Sequence, residues 1–206
     1  MKDIFLIPGS MMAAPSPLKP DELVKAQEVN GGFYSFDKEI RNGEIGLFLW
    51  HDNYPESFKV NPLSPLLAYA NDRKRVSTST LQHDLIEALA IAQPRVIVTH
   101  SKGCQLVLES FARFGLPLSV KKVVFMQSDA DLSDDLAKLA DTVELINLYA
   151  KDDATLWSSV VLNGGKIRAG LMPSKQSGVI NKPYSSKGIH ISTLKDPEIK
   201  NWILSL

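Results

Sequence analysis

Ser101, Asp153 and His190 are the residues whose types and order suit nucleophilic hydrolysis. A serine hydroxyl is a weak nucleophile at neutral pH, so an imidazole must take its proton and a buried carboxylate must hold that ring in the right tautomer. Ser101 lies in Arg95-Val96-Ile97-Val98-Thr99-His100-Ser101-Lys102-Gly103-Cys104, an apolar run that enters a tight turn and continues with helical spacing. A strained strand-to-helix turn of this kind lifts a serine hydroxyl above a sheet, provided the residues two before and two after it are small. Gly103 meets that condition. Thr99 meets it less well, because its branched side chain takes more room. The plainer reading is that Thr99-His100-Ser101 only ends a strand and Gly103 only starts a helix, and short motifs arise often without function.

The partners are sought further along the chain. The apolar run 143–148 leads into Lys151-Asp152-Asp153-Ala154, two carboxylates just past a strand end, of which Asp153 is the preferred acid. Asp152 stays open as an alternative, as do Asp129 and Asp131 after the run 123–126. His190, in Gly188-Ile189-His190-Ile191-Ser192, is the only histidine in the C-terminal half and stands just ahead of the last predicted helix. An oxyanion formed at the site needs N–H donors. The backbone amides of Lys102, at the start of a helix, and of Ser10, after Pro8-Gly9, are assigned that role. Since both act through the main chain, replacing either by alanine is expected to be mild. The Lys102 side chain, beside the nucleophile, suggests a preference for anionic substrates.

The remaining candidates have ordinary explanations. His100 is expected to pack or hydrogen-bond rather than catalyse, His83 to lie on a helix surface and His51 in a solvated loop. Cys104 reads as a small buried hydrophobe, and no cluster with metal-ligand spacing is evident, so neither a metal nor a cofactor is expected.

Positioning such residues requires a sheet. Short continuous apolar runs recur at 4–7, 45–50, 96–99, 123–126 and 143–148, as expected of strands covered on both faces. Helical spacing occupies 79–92, with Ser79 as N-cap and Gln82 completing a capping box, and 103–114, ending at Gly115. A last helix is predicted over 197–206. The alternation predicts an α/β fold, a predominantly parallel sheet with helices on both faces, in one domain over 1–206. Two connections, 52–76 and 157–188, are long enough either to hold unresolved short helices or to wall a cleft.

Composition narrows the partner. The chain has 206 residues, and its 23 Lys and Arg balance 23 Asp and Glu, so no net field draws it to nucleic acid or an anionic membrane. A small-molecule substrate is the expectation. One cysteine fits a reducing compartment, and the run 4–7 ends at Pro8, too short for a leader or a span, so a cytoplasmic protein without membrane insertion is expected.

Taken together, Pro8-Gly9, the elbow Thr99-His100-Ser101-Lys102-Gly103, the acid at Asp153 and the base at His190 resemble the α/β-hydrolase superfamily of lipases and esterases. The resemblance spans most of the chain. It implies a minimal version of that fold, beginning at what larger members count as their third strand and without a cap domain, and a serine hydrolase acting on an ester, or a thioester or amide. Pro8 stands where that family usually has histidine and Thr99 where it has glycine. Those departures motivate the alternative of a catalytically silent member that binds a ligand or a protein partner. A nucleotide-binding domain using Pro8-Gly9-Ser10 as a phosphate loop is a weaker rival, since one glycine falls far short of a phosphate-binding fingerprint.

Overall fold

The structure is a computed structural model that describes residues 3–9, 32–50 and 64–206. Its elements are β1 (Ile4–Ile7), a 3-10 turn (Tyr34–Phe36) leading into α1 (Asp37–Arg41), β2 (Gly46–Leu47), α2 (Ser64–Val76), α3 (Ser79–Ala92), β3 (Val96–His100) and α4 (Lys102–Phe114). They continue with β4 (Lys122–Met126), α5 (Leu136–Ala140), β5 (Glu144–Tyr149), α6 (Ala154–Leu162), β6 (Val179–Pro183), α7 (Ser192–Lys195) and α8 (Pro197–Leu204).

The strands form a six-stranded sheet in the order β2-β1-β3-β4-β5-β6, every pairing parallel. Alternate residues of each strand feed opposite faces. Phe5, Ile7, Ile97, Val123, Phe125 and Leu145 meet Leu81, Leu85 and Leu89 of α3, Leu106 and Val107 of α4, and Leu136 and Leu139 of α5. On the other face Leu6, Val98, Val124, Met126 and Leu148 meet Phe33, Phe36, Leu194 and Ile203. Burial on both sides is why the runs are continuously apolar. Chain order reverses between β1 and β3: the chain first steps outward to β2, then crosses to β3 on the other side of β1. A crevice opens at such a reversal, beyond the carboxyl ends of the strands, and Pro8-Gly9 and Ser101 follow the two strands that flank it.

The local signals hold with small shifts. The α3 helix starts at Ser79, but the cap residue is Thr78, and its hydroxyl turns back to Arg75 O. Gln82 points inward, donating to Val76 O at 2.7 Å and to Glu109 at 3.1 Å, so no capping box forms. Gly115 ends α4 at φ 74°, its N–H bonded to Phe111 O. Asp196 caps α8 through Glu198 N, with Pro197 pre-set for the first turn.

Both long connections contain regular structure. The end of 52–76 is α2, while His51 and Asp52 lie outside the described residues. The stretch 157–188 holds most of α6 and all of β6, whose sequence Val-Ile-Asn-Lys-Pro is half exposed at the sheet edge. An edge strand needs no apolar run and tolerates proline, which explains why the pattern hid it. Among the described residues no helix is long and apolar enough to cross a membrane.

Candidate functional site

Ser101 sits between β3 and α4 at φ 53° and ψ −121°, a conformation that costs a non-glycine residue strain and persists only when its surroundings enforce it. Those surroundings are close. Ser101 N donates to Met126 O at 3.0 Å, and Ser101 O accepts from Asp129 N at 3.0 Å and Cys104 N at 3.1 Å. A Cβ on Gly103 would lie 2.4 Å from Pro8 O and 2.7 Å from Thr99 Oγ1, so glycine is required there. Thr99 itself is fully buried, and its larger side chain is accommodated against that glycine. On the opposite side, a Cβ on Gly9 would come within 2.5 Å of Ser101 Cβ. The Pro8-Gly9 loop therefore lies against the serine, and the Trp50 indole fixes it by donating to Pro8 O at 2.8 Å. Ser10, the other proposed oxyanion donor, lies outside the described residues. Lys102 N is the first amide of α4, one of the helix donors without an intrahelical partner.

His190 reaches the same rim from the segment between β6 and α7. Its Nδ1 lies 2.7 Å from Asp153 Oδ2. A carboxylate there fixes the tautomer: Nδ1 carries the proton and donates, and Nε2 is left as an acceptor. That Nε2 is buried and makes no hydrogen bond among the described residues, so the contact through which it would take the Ser101 proton is not made in this structure. The imidazole packs at a ring-centroid distance of 4.6 Å on His100, the chain neighbour of Ser101. His100 Nε2–H in turn donates to His190 O at 3.0 Å. Burial, and next the nearby His190, drive the His100 ring down to about 3, which keeps it neutral. It packs and hydrogen-bonds, as its sequence position suggested.

Asp153 is fully buried as the N-cap of α6. Its Oδ1 accepts from Leu156 N at 3.0 Å, and its Oδ2 accepts from His190 and from Gln127 Nε2 at 2.6 Å. Burial alone would raise this carboxyl; the His190 contact, Leu156 N–H and the Gln127 amide outweigh it and hold the group below the usual carboxylate range.

The alternative acids are engaged elsewhere. Asp152 accepts from Ser186 N, Lys187 N and the hydroxyls of Ser185 and Ser186. Against the desolvation that raises it, these bonds hold its carboxyl to about 2. It thereby anchors the turn that delivers His190, in which Lys187 and Gly188 both take positive φ. Asp131 accepts from Ser133 and pairs with Lys166. Asp129 faces Lys102, with 2.5 Å between Nζ and Oδ2. Tyr69 OH and Ser159 Oγ also donate to Asp129, and Arg168 Nη1 donates to its carbonyl.

This last pair corrects two expectations. The Lys102 ammonium is 1% exposed and bound to Asp129, Tyr69 and Gln105, so it offers no free charge to an anionic substrate. Replacing it by alanine takes the nearest counter-charge from a buried carboxylate, which is not a mild change.

Cys104 is buried, burial pushes its thiol up to about 12, and its Sγ–H donates to Thr99 O. His83, with Asp84 and Glu87, is exposed on α3; among the described residues these three form the one group of potential metal ligands within 4.8 Å of one another. Exposed charged side chains on one helix face commonly meet in this way without an ion. A cleft of about 300 Å³ lined by Arg73, Glu109, Asp131, Asp134, Lys166 and Arg168, among others, includes none of Ser101, Asp153 and His190.

Gln127 was missed as a part of the site, and Asp152 was read as an alternative acid rather than as the anchor of the turn before His190. The signal for Gln127 was a polar residue directly after the apolar run of β4, at the sheet rim where Ser101 and Asp153 follow their own strands. Comparisons with family models, curated proteins and solved structures found no match to this chain.

Proposed function

We propose that the chain is a serine hydrolase of the α/β-hydrolase kind that cleaves an ester, with Ser101 as nucleophile, His190 as general base and Asp153 as its orienting acid. The observation that carries this reading is the meeting, at one sheet rim, of a serine held at φ 53° and ψ −121° with a histidine whose Nδ1 is bound to a buried aspartate. Strand order and chain order agree with it: the serine follows β3, the acid β5 and the base β6.

In this mechanism the Ser101 oxygen attacks the substrate carbonyl carbon while its proton passes to His190 Nε2. The carbonyl π electrons move to oxygen, and the resulting oxyanion accepts from Lys102 N–H and from the amide after Gly9. Asp153 stabilises the imidazolium without taking its proton. The intermediate collapses, the carbon–oxygen bond to the leaving group breaks, and His190 returns the proton to the departing alcohol. Water then repeats the sequence on acyl-Ser101 and releases the acid. Thioesters and amides are the less favoured substrates. The reading asks for no cofactor. The bond between Ser101 and His190, absent here, forms as the site tightens on substrate, as catalytic contacts often do.

That same absent bond, with Thr99 in place of a glycine, favours a second reading: a silent member of the fold that binds a small ligand or a protein partner. Rates on a panel of p-nitrophenyl esters of graded chain length decide between them. The hydrolase reading expects turnover that Ser101→Ala abolishes. Background rates with wild-type protein on every ester leave the silent reading standing.

A further inference from the structure

We propose that Gln127 is a positioning residue that holds Asp153 and the His190 segment in one register, an inference that rests on the proposed role of His190. Gln127 follows β4, is fully buried and has φ 44°. Its amide joins three separate parts of the chain. Nε2 donates to Asp153 Oδ2 at 2.6 Å and to Ile189 O at 3.3 Å, while Oε1 accepts from Thr193 Oγ1 at 2.7 Å.

The chemistry fixes which end is which. A carboxylate and a carbonyl can only accept, so the NH₂ group must face Asp153 and Ile189; a hydroxyl that donates must meet the amide oxygen. Thr193 is itself fully buried, so no water replaces it. The amide plane therefore pins the residue before His190 and the residue three after it, and bonds the oxygen atom that also receives His190 Nδ1–H. An asparagine would be one methylene too short to span these groups. Glutamate would bring a second buried carboxylate against Asp153.

Misplacing a catalytic group by about 1 Å costs on the order of 100-fold in rate, and loss of the outer partner of a metal-bound histidine, the nearest analogue, costs about 10- to 100-fold. Gln127→Met keeps the side chain's length and removes its polar atoms. On p-nitrophenyl acetate it is expected to lower kcat roughly 10- to 100-fold with KM within about two-fold. Thr193→Val, nearly isosteric, frees the amide to rotate and is expected to cost less. The double variant should cost no more than Gln127→Met alone, because Thr193 acts through Gln127.

A second readout needs no turnover. In proton NMR of the free protein, the downfield His190 Nδ1–H resonance should shift or broaden in Gln127→Met and, to a lesser degree, in Thr193→Val. An unchanged resonance with unchanged kcat overturns the proposal, as does a double variant whose costs simply add. Should Gln127→Met fail to fold, Thr193→Val carries the same two readouts. Should wild-type protein hydrolyse no ester, the function reading fails while the resonance still decides whether Gln127 positions the ring.

Discussion

Two aspartates sit past neighbouring strands of one sheet, both buried, and they do opposite things. Asp129, after β4, faces a lysine, a tyrosine and a serine, with the buried Arg168 guanidinium 3.8 Å away, and its carboxylate is fully engaged. Asp153, after β5, is equally saturated on its own atoms, but it orients a histidine whose other nitrogen has no hydrogen-bond partner among the described residues. A closed network holds a shape, and the Asp129 cluster holds the elbow through Asp129 N on Ser101 O. A network left open at one end can move a proton. The contrast separates the two carboxylates more sharply than burial, which is alike for both.

Substitutions can break that contrast from either side. The largest effect is expected for Asp153→Asn, which offers His190 Nδ1 the wrong tautomer: kcat should fall on the order of 10⁴-fold in an ester assay, with the urea midpoint little changed. The Asp129 side should respond in stability. Lys102→Met removes the nearer of two cations from the buried Asp129 carboxylate, leaving Arg168 Nε at 3.8 Å, and is expected to cost about 3 kcal/mol in urea unfolding. If Lys102→Met unfolds like wild type, the closed network contributes nothing.

Acid should weaken the fold through His100. Its ring takes a proton near 6.5 when unfolded but only near 3 when buried, so the unfolded chain binds more protons between those values. Stability is full above that window and falls as pH drops through it, by about 2 kcal/mol from pH 7.5 to pH 5. His100→Phe should flatten that slope in unfolding curves at the two pH values. The smallest effect belongs to Asp152→Ala, which releases the turn before His190: kcat should drop about 10-fold or less with KM nearly unchanged. The contribution of Asp152 to stability is present above about 4 and is lost only as pH falls towards about 2.

Much of this was legible in the sequence where burial leaves a pattern. The interior strands β1, β3, β4 and β5 could be read because both faces are covered and most of their residues are apolar. The edge strand β6 could not, because Asn181 and Lys182 have solvent or loop atoms to meet rather than a core. At the site, Ser101 and His190 stood out by type and context, and Asp153 was preferred to Asp152 without a local reason. The reason is three-dimensional. Asp152 folds back on Ser185 and Ser186, and Asp153 caps α6 facing the ring. Lys102 was misjudged because its partner Asp129 is distant in sequence and adjacent only across the β3–β4 rim. Gln127 carries no charge and forms no motif; its three hydrogen bonds exist only once β4, β5 and α7 are assembled.

The central claim is that the strained serine is a nucleophile activated by His190. Intact-protein mass spectrometry after exposure to a fluorophosphonate tests it most directly. A single adduct on wild-type protein, mapped to Ser101, absent from Ser101→Ala and formed far more slowly on His190→Ala, is the predicted result. An unmodified wild-type protein, or a Ser101→Ala variant labelled as fast as wild type, would contradict it.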